Sequence, residues 1–231
     1  MSSRPVSSPL ALIFDMDGVL VDSEPLHKRA KEEAFRQFGI VLPESTYDGY
    51  KGRPDATMMQ EIIDERGGPA TSVADILRLK HEIFEAIEHE LQPIQGAADF
   101  IRWAASHYRI ALATSATARN RAAALEVLGA SNLFEAIVDS SRFQRPKPDP
   151  EAFLVALREL RLGAADCWVI EDSLNGVRAA KSAGCLAVAM TTTFDSELLS
   201  NAGADLIVDS FIELRRELEQ VEAESSREQV G

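Results

Sequence analysis

Short runs of apolar, branched residues recur along the chain and predict the strands of a sheet. Five runs are strong, and a sixth at residues 204–209 is weaker. Each is followed by a helical pattern, as is typical of parallel strands that are buried on both faces. The five strong runs are residues 10–15, 109–114, 134–139, 167–172 and 185–190.

Helical periodicity fills the intervals between these runs. Strands and helices in regular alternation indicate an α/β fold with a doubly wound parallel sheet. The clearest helical stretches are residues 97–107, 118–129, 150–161 and 174–183.

The alternation fails once, directly after the first predicted strand. Residues 23–91 show helical periodicity and no strand candidate, and a segment of this length is too long for an ordinary crossover. We therefore expect a helical domain at residues 23–91, inserted into a core formed by residues 1–22 and 92–231. The first eight residues and the tail from about Glu222 are polar, and we expect both to be frayed.

The composition is that of a soluble, acidic globular protein. The 231 residues are 45% hydrophobic and 26% charged, with a formal net charge of −13. Such a surface repels nucleic acid and anionic lipid. The N-terminus has no apolar core of signal-peptide length, and no apolar stretch has the length of a membrane span. We expect a cytoplasmic monomer that binds neither nucleic acid nor membranes. Cys167 and Cys185 lie in apolar runs and are interpreted as packing residues.

Acidic and other polar residues stand at the carboxyl ends of four predicted strands. The segment FDMDGVLVDS, residues 14–23, places Asp15 at the end of the first strand and Asp17 on the following turn. In an open α/β sheet ligands bind beyond these ends, so residues distant in sequence are expected to meet there. The other three ends contribute Thr114 and Ser115, Lys147 in the loop RPKPDP, and the pair Glu171 and Asp172.

These residue types suit the hydrolysis of a phosphate ester with a divalent metal. Asp15, Glu171 and Asp172 offer hard oxygen ligands, which favour Mg²⁺ over zinc. Clustered carboxylates also need a cation to offset their mutual repulsion. Asp15 could then attack phosphorus as a carboxylate nucleophile and form an aspartyl phosphate.

The remaining residues supply positive charge, hydrogen bonds and a proton. Lys147 can hold a phosphate oxygen, and Thr114 can donate its hydroxyl, together with backbone N–H groups of the next helix. Asp17 can give a proton to the leaving oxygen and then take one from water. That dual role is favoured by a pKa near neutrality.

Each of these residues also has an ordinary structural interpretation. Two aspartates on a turn often mark only a solvated loop, and Lys147 could be an exposed lysine. Thr114 could cap the helix after it, and the acidic pair could cap a helix beside Ser173. Their ordered appearance at successive strand ends favours one shared functional site.

Taken together, the motifs resemble those of the haloacid dehalogenase-like (HAD) hydrolase superfamily, which consists mostly of phosphatases. The resemblance extends from Leu10 to about Asp209 and implies a Rossmann-like core with a helical cap after the first strand. The cap and the segment DSEPLH are most similar to the branch of β-phosphoglucomutase and the sugar-phosphate phosphatases. The matching segments are DMDGVLVDS, Thr114 in ALATSA, Lys147, and Glu171 and Asp172 in VIEDSLNGVRAA.

The resemblance also implies a role for each site residue. Asp15 would be the nucleophile and Asp17 the general acid and base. Mg²⁺ would be held by the Asp15 side chain, the Asp17 carbonyl and Asp172, with Glu171 at the metal or next to it. Haloacid dehalogenases proper lack an acid two residues after the nucleophile, so Asp17 disfavours dehalogenation. It equally disfavours the imine chemistry of phosphonoacetaldehyde hydrolases, for which Lys51 would be the comparable cap lysine.

The segment YKGRPDATMM, residues 50–59, resembles the cap loop that faces the active site in sugar-phosphate relatives. Arg53 is therefore a candidate substrate-binding residue, through the leaving group, and Ser115, at the end of the second predicted strand, is another. An exposed arginine beside a helix start is an equal alternative for Arg53. His27, on the first cap helix, is interpreted as a packing or surface residue and is left out of the catalytic set.

These observations predict a Mg²⁺-dependent phosphatase for a small phosphorylated metabolite, with a sugar phosphate as the leading candidate, acting through Asp15. A phosphosugar mutase of the β-phosphoglucomutase type is the alternative, because it would use the same residues. A signalling receiver domain combines similar residues, but it is much shorter and has the acidic pair before the acceptor aspartate. The complete acidic set disfavours a non-catalytic interaction protein.

Overall fold

The computed structural model describes residues 8–50, 54–66 and 72–228. Within them, eight strands and ten α-helices form, with 3₁₀ turns at Glu88–Glu90 and Ala164–Asp166. The strands are β1 (Ala11–Phe14), β2 (Val21–Asp22), β3 (Gln92–Pro93), β4 (Arg109–Ala113), β5 (Ala136–Val138), β6 (Cys167–Glu171), β7 (Leu186–Met190) and β8 (Leu206–Val208). The helices are α1 (Glu24–Gln37), α2 (Glu44–Asp48), α3 (Asp55–Arg66), α4 (Val73–Ile87), α5 (Ala97–His107), α6 (Ala118–Leu128), α7 (Glu151–Leu160), α8 (Leu174–Ala183), α9 (Ser196–Ala202) and α10 (Phe211–Glu228). None of these described helices combines the length and the apolar character that crossing a bilayer requires.

Six strands form one parallel sheet in the order β5-β4-β1-β6-β7-β8. β1 lies inside the sheet, with Phe14 beside Leu112 of β4 on one side and Ile170 of β6 on the other. Helices flank the sheet, and the predicted Rossmann-like, doubly wound α/β core is confirmed. Each strand of this six-stranded sheet lies within its predicted run, including the weaker one at residues 204–209, whereas β2 and β3 fall outside the predicted runs.

Side chains of successive β1 residues pack on opposite faces of the sheet. Ile13 belongs to a buried cluster that includes Phe153 of α7, whereas the Phe14 ring meets that of Phe100 of α5, with 6.1 Å between the centroids. Because helices cover both faces, the strands need no polar side. Both cysteines, Cys167 and Cys185, are buried as free thiols in the cluster that contains Ile13 and Phe153, as predicted.

The chain divides into two compact units. One comprises residues 1–21 and 93–231, and the other residues 22–92. In its described residues the second unit is helical, with α1 packed along α4. Phe35, Met59 and Ile76 are among the buried residues of its core. The short strands β2 and β3, where the chain leaves the first unit and returns to it, pair with each other.

The carboxyl-terminal segment departs from the sequence prediction. Fraying from about Glu222 is wrong for the described residues, because α10 continues to Glu228. Leu218 and Val221 recur at helical spacing and are buried, and Tyr108 donates a hydrogen bond of 2.5 Å to Glu222 Oε1. The polar character of this tail therefore reflects the exposed face of an amphipathic helix.

We predict that Leu218→Ala lowers the free energy of unfolding by about 2–5 kcal/mol, because removing a buried leucine side chain leaves a cavity. Ile212→Ala on the same helix is the matched control, since Ile212 is 74% exposed. Its effect should stay within about 0.5 kcal/mol. Urea denaturation measures both values, and equal effects would show that α10 is not packed as described.

Candidate active site

The register of the central strands brings the predicted residues to one edge of the sheet. Asp15 follows β1 directly, and its backbone N–H donates to the carbonyl of Ile170 at 2.9 Å. Thr114 follows β4, Glu171 is the last residue of β6, and Asp172 comes next. All four side chains are buried, with Thr114 and Glu171 at 0% exposure. Polar groups in such surroundings need partners, because water cannot solvate them.

Lys147 connects carboxylates that come from two different strands. Its Nζ lies 2.6 Å from Asp15 Oδ1 and 2.6 Å from Glu171 Oε1. It also donates to the carbonyl of Ala113 at 3.2 Å. The side chain is only 9% exposed, and its ammonium lies 4.8 Å from the ring centroid of Phe153. Lys147 is therefore not an exposed surface lysine.

Both carboxylate oxygens of Glu171 accept hydrogen bonds from the protein. Oε1 takes Lys147, while Oε2 accepts from the N–H groups of Asp172 and Ser173 at 3.1 Å each, and from Ser173 Oγ at 3.0 Å. Ser173 caps α8, because its Oγ accepts from the Gly176 N–H at 3.0 Å. A Cβ at Gly176 would lie 1.9 Å from Glu171 Oε1, so the fit requires glycine. The capping role thus belongs to Ser173, and Glu171 orients Lys147.

Thr114 does not cap the helix after it. Its Oγ1 accepts from the Ala116 N–H at 3.0 Å. The cap of α6 is Thr117, whose Oγ1 accepts from the Asn120 N–H at 3.2 Å. The hydroxyl hydrogen of Thr114 can therefore be donated to a ligand at this edge, while Ser115 is exposed in the adjoining loop.

Asp17 and Gly18 form the turn after β1. Gly18 has a φ of +76°, and its N–H donates to the carbonyl of Val21 at 2.9 Å. A Cβ at Gly18 would lie 2.0 Å from Asp172 Oδ2. Glycine is required here by the left-handed conformation and by the close approach of Asp172. Asp17 is half-buried, and its charge contributes to raising the pKa of Asp15.

The buried carboxylates carry more charge than Lys147 offsets. Burial, followed by the charges of Glu171 and Asp17, raises the pKa of Asp15 to about 7 against the opposing effect of Lys147. Burial and the charges of Glu171 and Asp15 also raise the pKa of Asp172. Burial alone would lower the pKa of the Lys147 ammonium. The negative charges of Asp15 and Glu171 have the larger effect, so the pKa of Lys147 is raised. The cluster therefore holds protons, or needs a further cation.

The donor set fits a divalent metal ion. Asp15, Glu171 and Asp172 each offer a carboxylate oxygen, and these oxygens lie within 4.8 Å of one another. Hard oxygen donors of this kind suit Mg²⁺, which takes carboxylates and water as ligands. The excess negative charge of the carboxylates favours the binding of such an ion.

The candidates in the helical unit have different positions. Arg53 and Lys51 lie outside the described residues. His27 stacks on Phe84, with 4.2 Å between the ring centroids and 16° between the planes. Burial, and next the charge of Lys80, lower the pKa of His27 to about 3. His27 is therefore a neutral residue that packs within the helical unit.

Sequence reasoning missed a loop at residues 191–193, the threonine loop, which reaches the site from β7. Thr192 Oγ1 donates to the Gly18 carbonyl at 2.5 Å, and Thr193 Oγ1 donates to Asp172 Oδ2. The sequence did indicate that this loop could reach the site, because these residues follow a predicted strand at its carboxyl end. Gly176 was also missed, since a glycine inside a helical pattern does not reveal which side chain lies against it.

Comparison with known proteins identifies relatives along most of the chain. The family model for haloacid dehalogenase-like hydrolases matches residues 12–190. A phosphorylated carbohydrates phosphatase of Thermotoga maritima is 30% identical over 203 residues, covering 86% of this chain and 93% of the relative. The β-phosphoglucomutase of Bacillus subtilis is 30% identical over 226 residues, covering 94% of this chain and 96% of the relative.

The similarity extends to a solved structure. CbbY from Rhodobacter sphaeroides, crystallised as a mutant with xylulose-(1,5)-bisphosphate, matches with a TM-score of 0.77 and 32% sequence identity. The match covers 89% of this chain and 96% of CbbY. Sequence and fold therefore agree on the same group of relatives.

We predict that the metal-free protein loses stability as the pH rises from about 4 to about 7. In this window the folded state keeps a proton on Asp15 that the unfolded state releases, so the free energy of unfolding falls with rising pH. Thermal unfolding in EDTA, compared with that of Asp15→Asn, isolates this contribution. Parallel pH profiles of the two proteins would contradict the raised pKa.

Proposed function

Because the chain belongs to the haloacid dehalogenase-like hydrolases, we propose that it is a phosphatase of a small phosphorylated metabolite, with a sugar phosphate as the leading candidate. The observation that carries the proposal is the buried cluster in which Lys147 contacts Asp15 and Glu171, with Asp172 beside them. The relatives support it, since they include a phosphatase of phosphorylated carbohydrates, a phosphoglucomutase and a protein crystallised with a sugar bisphosphate.

The proposal includes Mg²⁺, held by the side chains of Asp15 and Asp172 and by the backbone carbonyl of Asp17. When bound, the ion supplies positive charge that offsets the phosphate and the carboxylates. Glu171 would stand next to it. Both Glu171 oxygens already accept hydrogen bonds, from Lys147 and Ser173 among others, which favours an orienting role over direct ligation.

Asp15 is the proposed nucleophile. Lys147 contacts its carboxylate, and one carboxylate oxygen attacks phosphorus in line with the leaving oxygen while the other would stay with the metal ion. A bond forms between that Asp15 oxygen and phosphorus, and the bond between phosphorus and the leaving oxygen of the metabolite breaks. The product of this step is an aspartyl phosphate on Asp15.

Asp17 is the proposed general acid and base. It gives its proton to the leaving oxygen as the ester bond breaks. It then takes a proton from the water that attacks the aspartyl phosphate. Inorganic phosphate leaves, and both Asp15 and Asp17 return to their starting states. Asp17 lies two residues after the nucleophile, directly before the turn at Gly18.

Lys147, Thr114 and Ser115 are proposed to hold the phosphoryl group during transfer. Lys147 brings a positive charge to the cluster, Thr114 has a hydroxyl hydrogen to donate, and Ser115 is exposed directly after it. Such donors stabilise the charge on the phosphoryl oxygens in the transition state.

The helical unit is proposed to act as the cap that recognises the rest of the metabolite. It is inserted directly after the segment that carries Asp15 and Asp17. Arg53 remains our candidate for a contact with the leaving group. An imine route through Lys51 is not proposed, because the acid at position 17 suits phosphate-ester chemistry.

A phosphosugar mutase is the second candidate, because the similarity to β-phosphoglucomutase covers 94% of this chain. In a mutase the same aspartyl phosphate returns its phosphoryl group to a sugar hydroxyl instead of to water. The two reactions share Asp15, Asp17 and Lys147, and they differ in the acceptor.

We predict that Asp15→Asn lowers the rate of phosphate release by about 10³-fold or more, because the nucleophile is lost. A panel of phosphorylated metabolites, including sugar phosphates, is assayed with Mg²⁺ and again with EDTA, which should abolish release. Asp99→Asn is the control, because the Asp99 side chain is 90% exposed on α5 and pairs there with Arg102. An active Asp15→Asn variant, or full activity in EDTA, would refute the proposal.

Product analysis is expected to separate the phosphatase from the mutase. The protein is incubated with β-glucose 1-phosphate, Mg²⁺ and a trace of the bisphosphate. For a phosphatase we expect free glucose and inorganic phosphate in equal amounts, because water is the acceptor. Glucose 6-phosphate as the main product would establish the mutase instead.

A further inference from the structure

The threonine loop leaves the sheet beside one of the proposed metal ligands. β7 pairs with β6, and Ala189 lies next to Glu171 in the register. The loop that follows Met190 therefore starts next to Asp172, which follows Glu171. This position alone gives the loop access to the candidate site without a contribution from the helical unit.

The three hydroxyls of the loop make three different contacts. Thr191 Oγ1 donates to Asp209 Oδ1 at 2.6 Å, and its N–H donates to the carbonyl of Val208 at 3.2 Å. Thr191 thus fastens the loop to β8 and the residue after it. The hydroxyls of Thr192 and Thr193 instead donate to the candidate site, to the Gly18 carbonyl and to Asp172 Oδ2 respectively.

Asp172 Oδ2 is enclosed between the loop and the turn after β1. A Cβ at Gly18 would lie 2.0 Å from Asp172 Oδ2 and 3.0 Å from Thr193 Oγ1. The Asp172 side chain is itself buried, with 4% of the residue exposed. A rotation of this carboxylate would break its hydrogen bond to Thr193.

We infer that Thr193 is a positioning residue, which holds the Asp172 carboxylate in the orientation that lets it share a divalent cation with Asp15. The Thr193 hydroxyl fixes Oδ2, and Thr192 holds the turn that packs against it. The inference rests on the proposed function, since it concerns the metal site of that function. It adds a residue on β7's loop to a site otherwise built from β1, β4, β6 and the loop after β5.

Hydrogen bonds to metal ligands affect metal affinity because they fix the ligand before the ion arrives. Loss of such a partner typically weakens binding by about 10- to 100-fold. The stability of the metal-free fold should change little, since Thr193 is only half-buried. A residue that served packing alone would show the opposite pattern.

The test compares Mg²⁺ binding by isothermal titration calorimetry in metal-free wild type, T193V, T193A and T193S. We expect T193V and T193A to bind Mg²⁺ about 10- to 100-fold more weakly, and T193S to stay within about threefold of wild type because it keeps the hydroxyl. T191V is the matched control, since Thr191 contacts Asp209 instead of the site. Thermal midpoints without metal are recorded for all variants.

Three outcomes would overturn the inference. The first is T193V and T193A binding Mg²⁺ as tightly as wild type. The second is T193S losing as much affinity as T193V, which would assign the effect to packing. The third is T191V losing as much as T193V, which would assign it to the loop in general. A wild-type protein that binds no Mg²⁺ would overturn the proposed function and this inference together, so the two failures can be told apart.

Discussion

The contact of the Lys147 ammonium with the carboxylates of Asp15 and Glu171 is the interaction on which the candidate site depends. Removing one partner from a buried ion pair costs about 3–5 kcal/mol, because a charge is left without solvation. Asp172 adds a third carboxylate that Lys147 does not contact at hydrogen-bond distance in the described structure. The cluster is consequently short of positive charge, and either protons or a metal ion must supply it.

This crowding of charge constrains the backbone around it. Gly18 and Gly176 both lie where a Cβ would come within 2.0 Å of a carboxylate oxygen, one belonging to Asp172 and the other to Glu171. Because glycine has no side chain, the turn after β1 can pack closely against Asp172, and the first turn of α8 can pack closely against Glu171. Ser173 satisfies one of these acids and caps the helix with the same hydroxyl. Two glycines and a serine are thus explained by the carboxylates, and not by local conformation alone.

Much of the core could be predicted from the sequence, because strands that are buried on both faces leave continuous apolar runs. The rule that ligands gather at the carboxyl ends of such strands predicts Asp15, Thr114 and Asp172 at one edge of the sheet. The same rule places Lys147 in the loop after the third predicted strand, but only the fold shows that its ammonium reaches both Asp15 and Glu171.

Other features depend on contacts that a sequence pattern does not report. Three consecutive threonines look like an ordinary polar loop until the register of β6 and β7 sets Thr193 beside Asp172. The polar tail looks frayed until Leu218 and Val221 are seen to be buried along α10. In both cases, contacts with residues distant in sequence determine which side chains of the segment are buried or bonded. The composition of the segment does not reveal those contacts.

The family and the geometry support the same chemistry on separate grounds. Membership rests on similarity along residues 12–190, whereas the need for a cation follows from the buried charges. The most direct test is a crystal structure with Mn²⁺, which takes oxygen ligands as Mg²⁺ does and can be located by its anomalous scattering. One peak within bonding distance of the Asp15 and Asp172 carboxylates is the expected result. A peak at another place, with the Asp15 and Asp172 carboxylates turned away from each other, would contradict the account.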